Sequence, residues 1–237
     1  MNNDLYLLDR FIIFVLKIVR KSLNKYFKCP ECGSSIPCSL TELDSIKNCP
    51  ECGSMLIRQR FFVFIITGKT GSGKSSFLIK LLRKLQRRKI SVSGILAKGL
   101  WRNGQKLVYE IQNIQTGKTL PLASRGFIEN WNKTGNFYFN PEAILFGNKI
   151  LTDPGLIKND LIVLDEIGPF ELDGKIWADS VSHLIITSDC PMILVVRNKL
   201  IKKVIQKWKL QEPDIIDIEK VSVRQAEKRI VSKLGLG

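Results

Sequence analysis

The stretch FFVFIITGKTGSGKSSFLIKLL, residues 61–82, joins two kinds of hydrophobic pattern through a glycine-rich loop. Residues 61–67 are aliphatic, aromatic or β-branched and carry no charge, which is typical of a strand buried on both faces of a parallel sheet. From Phe77 onward, apolar residues recur at helical spacing, and lysines and arginines lie mostly on the other side. The stretch therefore predicts a strand, a loop and a helix, in that order.

The loop matches the pattern G-x-x-x-x-G-K-[ST] at every fixed position, from Gly68 to Ser75. Its glycines allow successive backbone N–H groups to point inward, and the helix adds the positive end of its dipole, so the loop is expected to bind phosphates. Lys74 is expected to reach the β- and γ-phosphates, and the Ser75 hydroxyl to ligate Mg²⁺. The predicted nucleotide-binding residues are Gly68, Lys69, Thr70, Gly71, Ser72, Gly73, Lys74, Ser75 and Ser76.

A second stretch, NDLIVLDEIGPFEL at residues 159–172, predicts the other half of the magnesium site. Residues 161–164 read as a short buried strand, and Asp165 follows at its carboxyl end, where ligand sites of parallel sheets collect. Because Mg²⁺ prefers oxygen ligands, we expect Asp165 to hold it opposite Ser75. Glu166 comes next and is predicted to orient or deprotonate an attacking water molecule.

The remaining patterns predict a doubly wound, mostly parallel α/β sheet with a β-hairpin excursion. Further strands are expected at 191–197 and 214–218, and helices at 198–209 and 222–234. Strands at 91–97 and 107–114 form the hairpin, with turns at 101–106 and 116–118. Arg197 and Arg125 are the candidates for a catalytic cation near the γ-phosphate, although an ordinary surface role is an equal alternative for Arg125.

Five of the six cysteines lie close together, in CPECGSSIPCSLTELDSIKNCPECG at residues 29–53. Cys29 and Cys32 form one CxxC pair and Cys49 and Cys52 form another, each inside the same CPECG pentapeptide. This spacing is typical of a zinc ribbon in which four thiolates hold one structural Zn²⁺ ion. The alternative, a pair of disulfides, is disfavoured because nothing marks the chain as secreted.

The first 60 residues predict two small segments ahead of the nucleotide-binding domain. Residues 5–26 form a basic amphipathic pattern that suits an anionic membrane surface, the chain's own domain or a partner subunit. The sequence contains no apolar segment long enough to span a bilayer and no secretory signal, so we expect a cytoplasmic protein. The predicted organisation is a helix at 1–27, a zinc ribbon at 28–58 and a P-loop NTPase domain at 59–237.

The positive charge of the chain, formally +15, is concentrated around the loop. Residues 61–130 contain 13 lysines and arginines against two acidic residues. One interpretation is a polyanionic partner such as nucleic acid. The other, which we favour from the sequence, is a solvated helix face beside a site that attracts a charged nucleotide.

Residues 61–237 resemble the THEP-type nucleoside-triphosphatases. The resemblance is carried by GKTGSGKS (68–75), VSGILA (92–97), VYEIQNIQTGKTLPLASR (108–125), GNFYFNPEAI (135–144) and LDEIGPFEL (164–172). It implies a sheet with helices on both sides and a slow, Mg²⁺-dependent hydrolysis of nucleoside triphosphates with loose base preference. By position, the resemblance assigns the phosphate, magnesium and water-handling roles to Lys74, Ser75, Asp165 and Glu166, and makes Glu171 a second acid of the motif.

The chain departs from this family pattern in three places. Pro169 stands where a basic residue is usual, and Val108-Tyr109 replaces a usual Gly-Phe. The zinc ribbon and the leading helix are additions to the pattern. Their purpose is open, with a nucleic acid or a protein as the candidate partner of the N-terminal region.

The leading hypothesis is therefore a Mg²⁺-dependent nucleoside-triphosphatase. A P-loop kinase acting on a small molecule is an alternative, because the same loop serves phosphoryl transfer to an acceptor. A third is a nucleotide-switched adaptor whose zinc ribbon binds nucleic acid, although the ribbon carries one lysine against four acids between its first and last cysteine. No N-K-x-D run distinguishes ATP from GTP.

Overall fold

The computed structural model describes residues 25–29, 32–38, 48–54, 61–102 and 105–236, except that the side chains of 25–28, 36–38, 100–102 and 105–107 are not described. The chain divides into two compact units between residues 58 and 59. Most of the helix predicted at 5–26 lies outside the described residues. Its last two residues, Lys25 and Tyr26, instead begin a strand, because their backbone pairs with a second strand rather than continuing a helix.

The first unit contains a short antiparallel hairpin. Strand β1 (Lys25–Lys28) pairs with β2 (Ser35–Cys38), with Lys25 opposite Cys38 and Lys28 opposite Ser35. The first CxxC pair follows β1 directly, in the turn between these strands. Because β1 spans Lys25–Lys28, the boundary that the sequence predicted between the helix and the ribbon, after residue 27, falls inside this strand.

The second unit is a nine-stranded sheet with helices on both faces. Its strands are β3 (Val63–Gly68), β4 (Val92–Arg102), β5 (Gln105–Asn113), β6 (Thr119–Ser124), β7 (Asn132–Thr134), β8 (Phe137–Phe139), β9 (Leu161–Ile167), β10 (Met192–Arg197) and β11 (Asp214–Asp217). Its α-helices are α1 (Lys74–Arg87), α2 (Pro141–Leu151), α3 (Pro169–Leu172), α4 (Ala178–Thr187), α5 (Ile201–Lys207) and α6 (Val223–Leu234). Short 3₁₀ helices occupy 156–158 and 198–200.

The strands follow the order β11-β3-β10-β9-β4-β5-β6-β8-β7. The first five are parallel to one another, and the remaining pairs are antiparallel. The doubly wound α/β sheet is therefore confirmed. The predicted hairpin is part of a larger antiparallel half, because β6, β8 and β7 continue the sheet outward from β5 through short connections.

Alternate residues of the central strands enter two separate cores. On one face, Ile65 of β3 packs with residues of α2, α4 and α5. On the other face, Phe64 and Ile66 pack with the leucines of α1 and with α6. Since successive side chains of a strand point to opposite faces, the apolar run at residues 63–66 is buried on both sides, as expected for a central parallel strand.

Most elements predicted in the nucleotide-binding region appear with small changes in their bounds. The helix expected at 198–209 begins with a 3₁₀ turn and ends at Lys207. Of the helices among the described residues, none is long and apolar enough to cross a membrane.

Candidate functional site

The phosphate-binding loop runs from the end of β3 to the start of α1 and depends on its glycines. Gly71 and Gly73 have φ angles of 79° and 92°, in the left-handed region that side chains disfavour. A Cβ atom on Gly68 would lie 2.7 Å from Ser72 Oγ and 2.8 Å from Ile218 Cγ1. The loop conformation therefore requires the absence of a side chain at these positions.

Lys74, the first residue of α1, lies folded back across the loop. Its side chain is buried, and Nζ donates to the carbonyl oxygens of Lys69 at 3.0 Å and Gly68 at 3.4 Å. No acidic residue lies in the first turn of α1, so nothing there offsets the positive end of the helix. The ammonium group and the helix end thus supply positive charge at the loop, which suits a polyphosphate.

Asp165 and Glu166 form a bulge at the carboxyl end of β9. Leu164 pairs with Leu194 and Ile167 with Val196, so two acidic residues on β9 stand opposite one residue of β10. Asp165 is only 2% exposed. Because β10 separates β9 from β3, the acidic pair and the phosphate loop lie on strands about 10 Å apart, which leaves room for phosphates between them.

Arg197 lies at the carboxyl end of β10, the strand between the phosphate loop on β3 and the acidic pair on β9. Its Nε donates to Glu166 Oε1 at 2.7 Å, and the two side chains are 33% and 27% exposed. Burial acts to lower the pKa of Arg197, but the hydrogen bond and the charge of Glu166 outweigh it, so the pKa of the guanidinium is raised. Arg197 therefore remains a cation beside the predicted base.

Glu171 is buried in α3, behind the turn that follows the acidic pair. The Gly168 N–H donates to Glu171 Oε2 at 2.7 Å, and Glu171 as a residue is 4% exposed. Burial raises the pKa of Glu171 to about 7, with a smaller contribution from the charge of Glu166. The hydrogen bond from Gly168 opposes that rise and ties the turn to α3.

Arg125 lies in a different environment from Arg197. Its guanidinium is 5.4 Å from the centroid of the Phe137 ring, in the antiparallel half of the sheet. The Phe137 ring in turn packs edge-on against Tyr109 at 5.6 Å. Of the two candidate catalytic arginines, the structure thus brings Arg197 to Glu166 and places Arg125 on an aromatic side chain.

Glu219 contacts the phosphate loop, although no sequence motif predicts this contact. The Glu219 carboxylate lies 3.4 Å from the Lys69 backbone nitrogen and 3.5 Å from Lys69 Nζ. The only sequence signal was its place just beyond β11, at the same carboxyl edge of the sheet.

The four cysteines of the two CxxC pairs converge in the first unit. All their Sγ atoms, from Cys29, Cys32, Cys49 and Cys52, lie within 4.8 Å of one another. Cys29 and Cys52 are 3.6 Å apart at sulfur, and Cys32 and Cys49 are 3.7 Å apart. These separations exceed a disulfide bond and match the ~3.8 Å between sulfurs that share tetrahedral Zn²⁺.

Comparison with known proteins agrees with this fold. A model of the NTPase family matches residues 63–231. The nucleoside-triphosphatase THEP1 of Sulfolobus acidocaldarius is 29% identical over 159 residues, which cover 65% of this chain and 89% of the relative. The THEP1 of Methanopyrus kandleri is 24% identical over 153 residues, covering 64% of this chain and 82% of the relative.

Two solved structures share the fold of the second unit. The crystal structure of THEP1 from the hyperthermophile Aquifex aeolicus has a TM-score of 0.56 at 18% identity, covering 71% of this chain and 99% of that one. The solution structure of a human cancer-related nucleoside triphosphatase has a TM-score of 0.55 at 17% identity, covering 72% of this chain and 96% of that one. Since the family model spans nearly all of the sheet and its helices, the chain belongs to the NTPase family of nucleoside-triphosphatase enzymes.

Proposed function

We propose that this protein hydrolyses nucleoside 5′-triphosphates to the diphosphate and phosphate in a Mg²⁺-dependent reaction. The observation that carries the proposal is the contact of 2.7 Å between Arg197 and Glu166, at the edge of the sheet that also holds the phosphate loop. This contact brings a cation and a carboxylate together. We expect the γ-phosphate of a nucleotide held by the phosphate loop to lie beside them.

The loop and Lys74 bind and orient the substrate. The backbone N–H groups of residues 68–76 and the Lys74 ammonium hold the β- and γ-phosphates, which places the γ-phosphorus toward β10 and β9. Lys74 leaves its present carbonyl partners in the loop for phosphate oxygens when the nucleotide binds.

Glu166 positions the attacking water, and Arg197 stabilises the charge that develops. The water oxygen forms a bond to the γ-phosphorus as the bond from that phosphorus to the β–γ bridging oxygen breaks. The water's proton passes to the Glu166 carboxylate or to the released phosphate. The guanidinium of Arg197, which contacts Glu166, is proposed to bind the γ-phosphate oxygens in the same step. Arg125 is a second candidate cation, one that would have to leave Phe137.

The residues at the loop fit a magnesium ion. Ser75 offers a hydroxyl and Asp165 a buried carboxylate, and hard oxygen ligands of this kind suit Mg²⁺. The Thr67 hydroxyl, one residue before the loop, is buried and has no hydrogen-bond partner among the described residues, as expected where a hydrated ion adds partners. When bound, Mg²⁺ would neutralise charge on the β- and γ-phosphate oxygens.

The four-cysteine cluster is proposed to hold a structural Zn²⁺ ion. Two of its thiols are buried and two are exposed, and a unit this small gains much of its stability from a metal. We extend the proposal to the order of segments predicted above, a leading helix, a zinc ribbon and the NTPase domain at 59–237, with β1 (Lys25–Lys28) assigned to the ribbon instead of the helix. Four thiolate ligands also suit a reducing compartment, so we propose a cytoplasmic location.

The test is phosphate release by the purified protein with Mg²⁺ and, in turn, ATP, GTP, CTP and UTP. We expect slow release from several of the four, loss of release with EDTA, and loss with Lys74→Ala. Lys202→Ala, an exposed lysine on α5, is the matched control and should retain activity. Consumption of the triphosphate that requires an added phosphoryl acceptor and yields no free phosphate would replace hydrolysis with a kinase reaction.

A further inference from the structure

The two CxxC pairs lie in a repeat that is one residue longer than the pentapeptide CPECG. Residues 29–34 and 49–54 both read CPECGS, so a serine follows the second cysteine of each pair at the same spacing. The two CPECGS repeats also share a backbone contact. The Cys29 N–H donates to the Ser34 carbonyl oxygen at 2.9 Å, and the Cys49 N–H donates to the Ser54 carbonyl oxygen at 2.8 Å. Each repeat therefore turns back on itself and brings its serine beside its first cysteine.

The hydroxyl group of each serine lies beside two sulfur atoms of the four-cysteine cluster. One sulfur, at 3.0 Å, belongs to the exposed cysteine of the same repeat, and the other, at 3.4 or 3.5 Å, belongs to the buried cysteine of the other repeat. The contacts are those of Ser34 Oγ with Cys32 and Cys49, and of Ser54 Oγ with Cys52 and Cys29. The same arrangement thus occurs twice, and each hydroxyl group links the two halves of the cluster.

A Zn²⁺ ion held by the cluster would fix the direction of these hydrogen bonds. Metal-bound cysteines are thiolates, which accept hydrogen bonds but have no proton to donate. A serine hydroxyl has a single proton, so it donates to one sulfur at a time, and the shorter distances favour Cys32 and Cys52. Such a bond stabilises the negative charge that four thiolates place around a divalent ion.

We propose that Ser34 and Ser54 are positioning residues of the metal site, whose hydroxyl groups donate to the Zn²⁺-bound thiolates of Cys32 and Cys52. The inference rests on the Zn²⁺ site proposed above. The two cysteines are exposed, so a competing chelator has access to their side of the cluster. The hydroxyl groups orient these sulfurs toward the metal and stabilise their charge, and so they raise the affinity for Zn²⁺.

The test is competition for Zn²⁺ between the whole purified chain and a colorimetric chelator, which measures the affinity. Ser34→Ala/Ser54→Ala should lower the affinity about 10- to 100-fold, because the thiolates lose their side-chain donors. Ser34→Thr/Ser54→Thr keeps both hydroxyl groups and should retain most of the wild-type affinity. With excess Zn²⁺ the alanine variant should still bind a single ion per chain, which would show that its four cysteines still form the site.

Co²⁺ in place of Zn²⁺ distinguishes a direct effect on the thiolates from a general loosening of the turns. Co²⁺ bound by thiolates absorbs light through charge transfer from sulfur to the metal. A hydrogen bond stabilises the sulfur electrons, so this band should move to longer wavelength in the alanine variant and keep its wild-type position in the threonine variant.

Ser35→Ala is the matched control for both measurements. Ser35 follows Ser34 directly, is exposed in β2, and makes no hydrogen bond to a cluster sulfur in the part of the chain that the structure describes. We therefore expect wild-type affinity for Zn²⁺ and a wild-type Co²⁺ spectrum from this variant.

Three results would overturn this role of the serines and leave the Zn²⁺ site itself in place. They are wild-type affinity in the alanine variant, equal losses of affinity in the alanine and threonine variants, and an unshifted charge-transfer band in the alanine variant. A wild-type chain that binds neither Zn²⁺ nor Co²⁺ would instead overturn the metal site, and with it the role of the serines.

Discussion

Arg197 Nε lies 2.7 Å from Glu166 Oε1, so the proposed catalytic cation and the proposed base are held by each other. The two residues stand at the carboxyl ends of neighbouring strands, β10 and β9. A γ-phosphate that enters the site competes with Glu166 for the guanidinium, because both are anionic oxygen groups. The contact therefore links substrate binding to release of the base.

Arg197→Ala should lower kcat by about a thousandfold, because the variant loses the cation that stabilises transition-state charge. Arg197→Lys should recover only part of the loss, since lysine lacks the planar fork of donors. Arg125→Ala tests the second candidate cation; because this arginine lies on Phe137 instead of beside Glu166, we expect kcat to change by no more than about twofold. Steady-state phosphate release measures all three. Equal losses in Arg197→Ala and Arg125→Ala would contradict the assignment of Arg197.

Gly68→Ala should weaken nucleotide binding by about 5- to 150-fold while leaving the protein folded. The added Cβ would approach Ser72 Oγ and Ile218 Cγ1 within 2.8 Å, which forces the loop out of its phosphate-binding shape at a cost of about 1–3 kcal/mol. Gly126→Ala is the control, because the nearest atom to its Cβ, Ser124 Oγ, is 3.7 Å away. Titration with a fluorescent nucleotide measures affinity, and wild-type affinity in Gly68→Ala would show that the loop does not bind the phosphates.

The buried carboxyl group of Glu171 should make the free energy of unfolding depend on pH. Burial raises its pKa in the folded protein to about 7 from an unfolded value of 4.5, so folding favours the protonated form. The contribution of Glu171 to the free energy of unfolding is fully present below pH 4.5. It is lost as the pH rises through 7, and the total loss is about 3 kcal/mol.

Urea unfolding from pH 5 to pH 8 tests this dependence. The free energy of unfolding should fall more steeply with pH in the wild type than in Glu171→Gln, which cannot ionise. Taking the difference between the two proteins removes the titration of all other groups. Parallel curves would show that Glu171 does not titrate in this range.

The purified protein should contain a single Zn²⁺ ion per chain. Cys32→Ser should lose it, because a serine hydroxyl does not replace a thiolate ligand. Cys190→Ser is the control: this thiol is buried outside the cluster and donates to the Asn159 carbonyl at 3.0 Å, a contact that a hydroxyl can keep. Elemental analysis of the desalted proteins measures the metal. Full zinc content in Cys32→Ser would contradict the four-cysteine site.

The parts of the site that the sequence predicted are those encoded by adjacent residues. The loop from Gly68 to Ser75 and the Asp165-Glu166 pair each lie within one short segment, where spacing and context are both visible. The contact between Arg197 and Glu166 depends instead on β10 lying between β3 and β9, and strand order is set by long-range packing. The sequence therefore indicated Arg197 as a candidate cation but did not predict its contact with Glu166.

The antiparallel half shows why part of the fold was not predicted. Strands β7 and β8 contain three residues each. So short a segment does not show the alternation of apolar and polar residues by which a strand is recognised in a sequence. Strand β6 contains Pro121, which normally argues against a strand because it cannot donate to the ladder. Its neighbours on both sides, β5 and β8, hold β6 in the sheet despite the missing donor.

Nucleotide binding and phosphate release in Glu166→Gln together test most directly whether this site hydrolyses nucleoside triphosphates. Glutamine keeps the shape of the side chain but removes the carboxylate that positions water. We expect the variant to bind ATP at least as tightly as the wild type, while phosphate release falls by at least about 100-fold. Wild-type phosphate release from Glu166→Gln would contradict hydrolysis at this site.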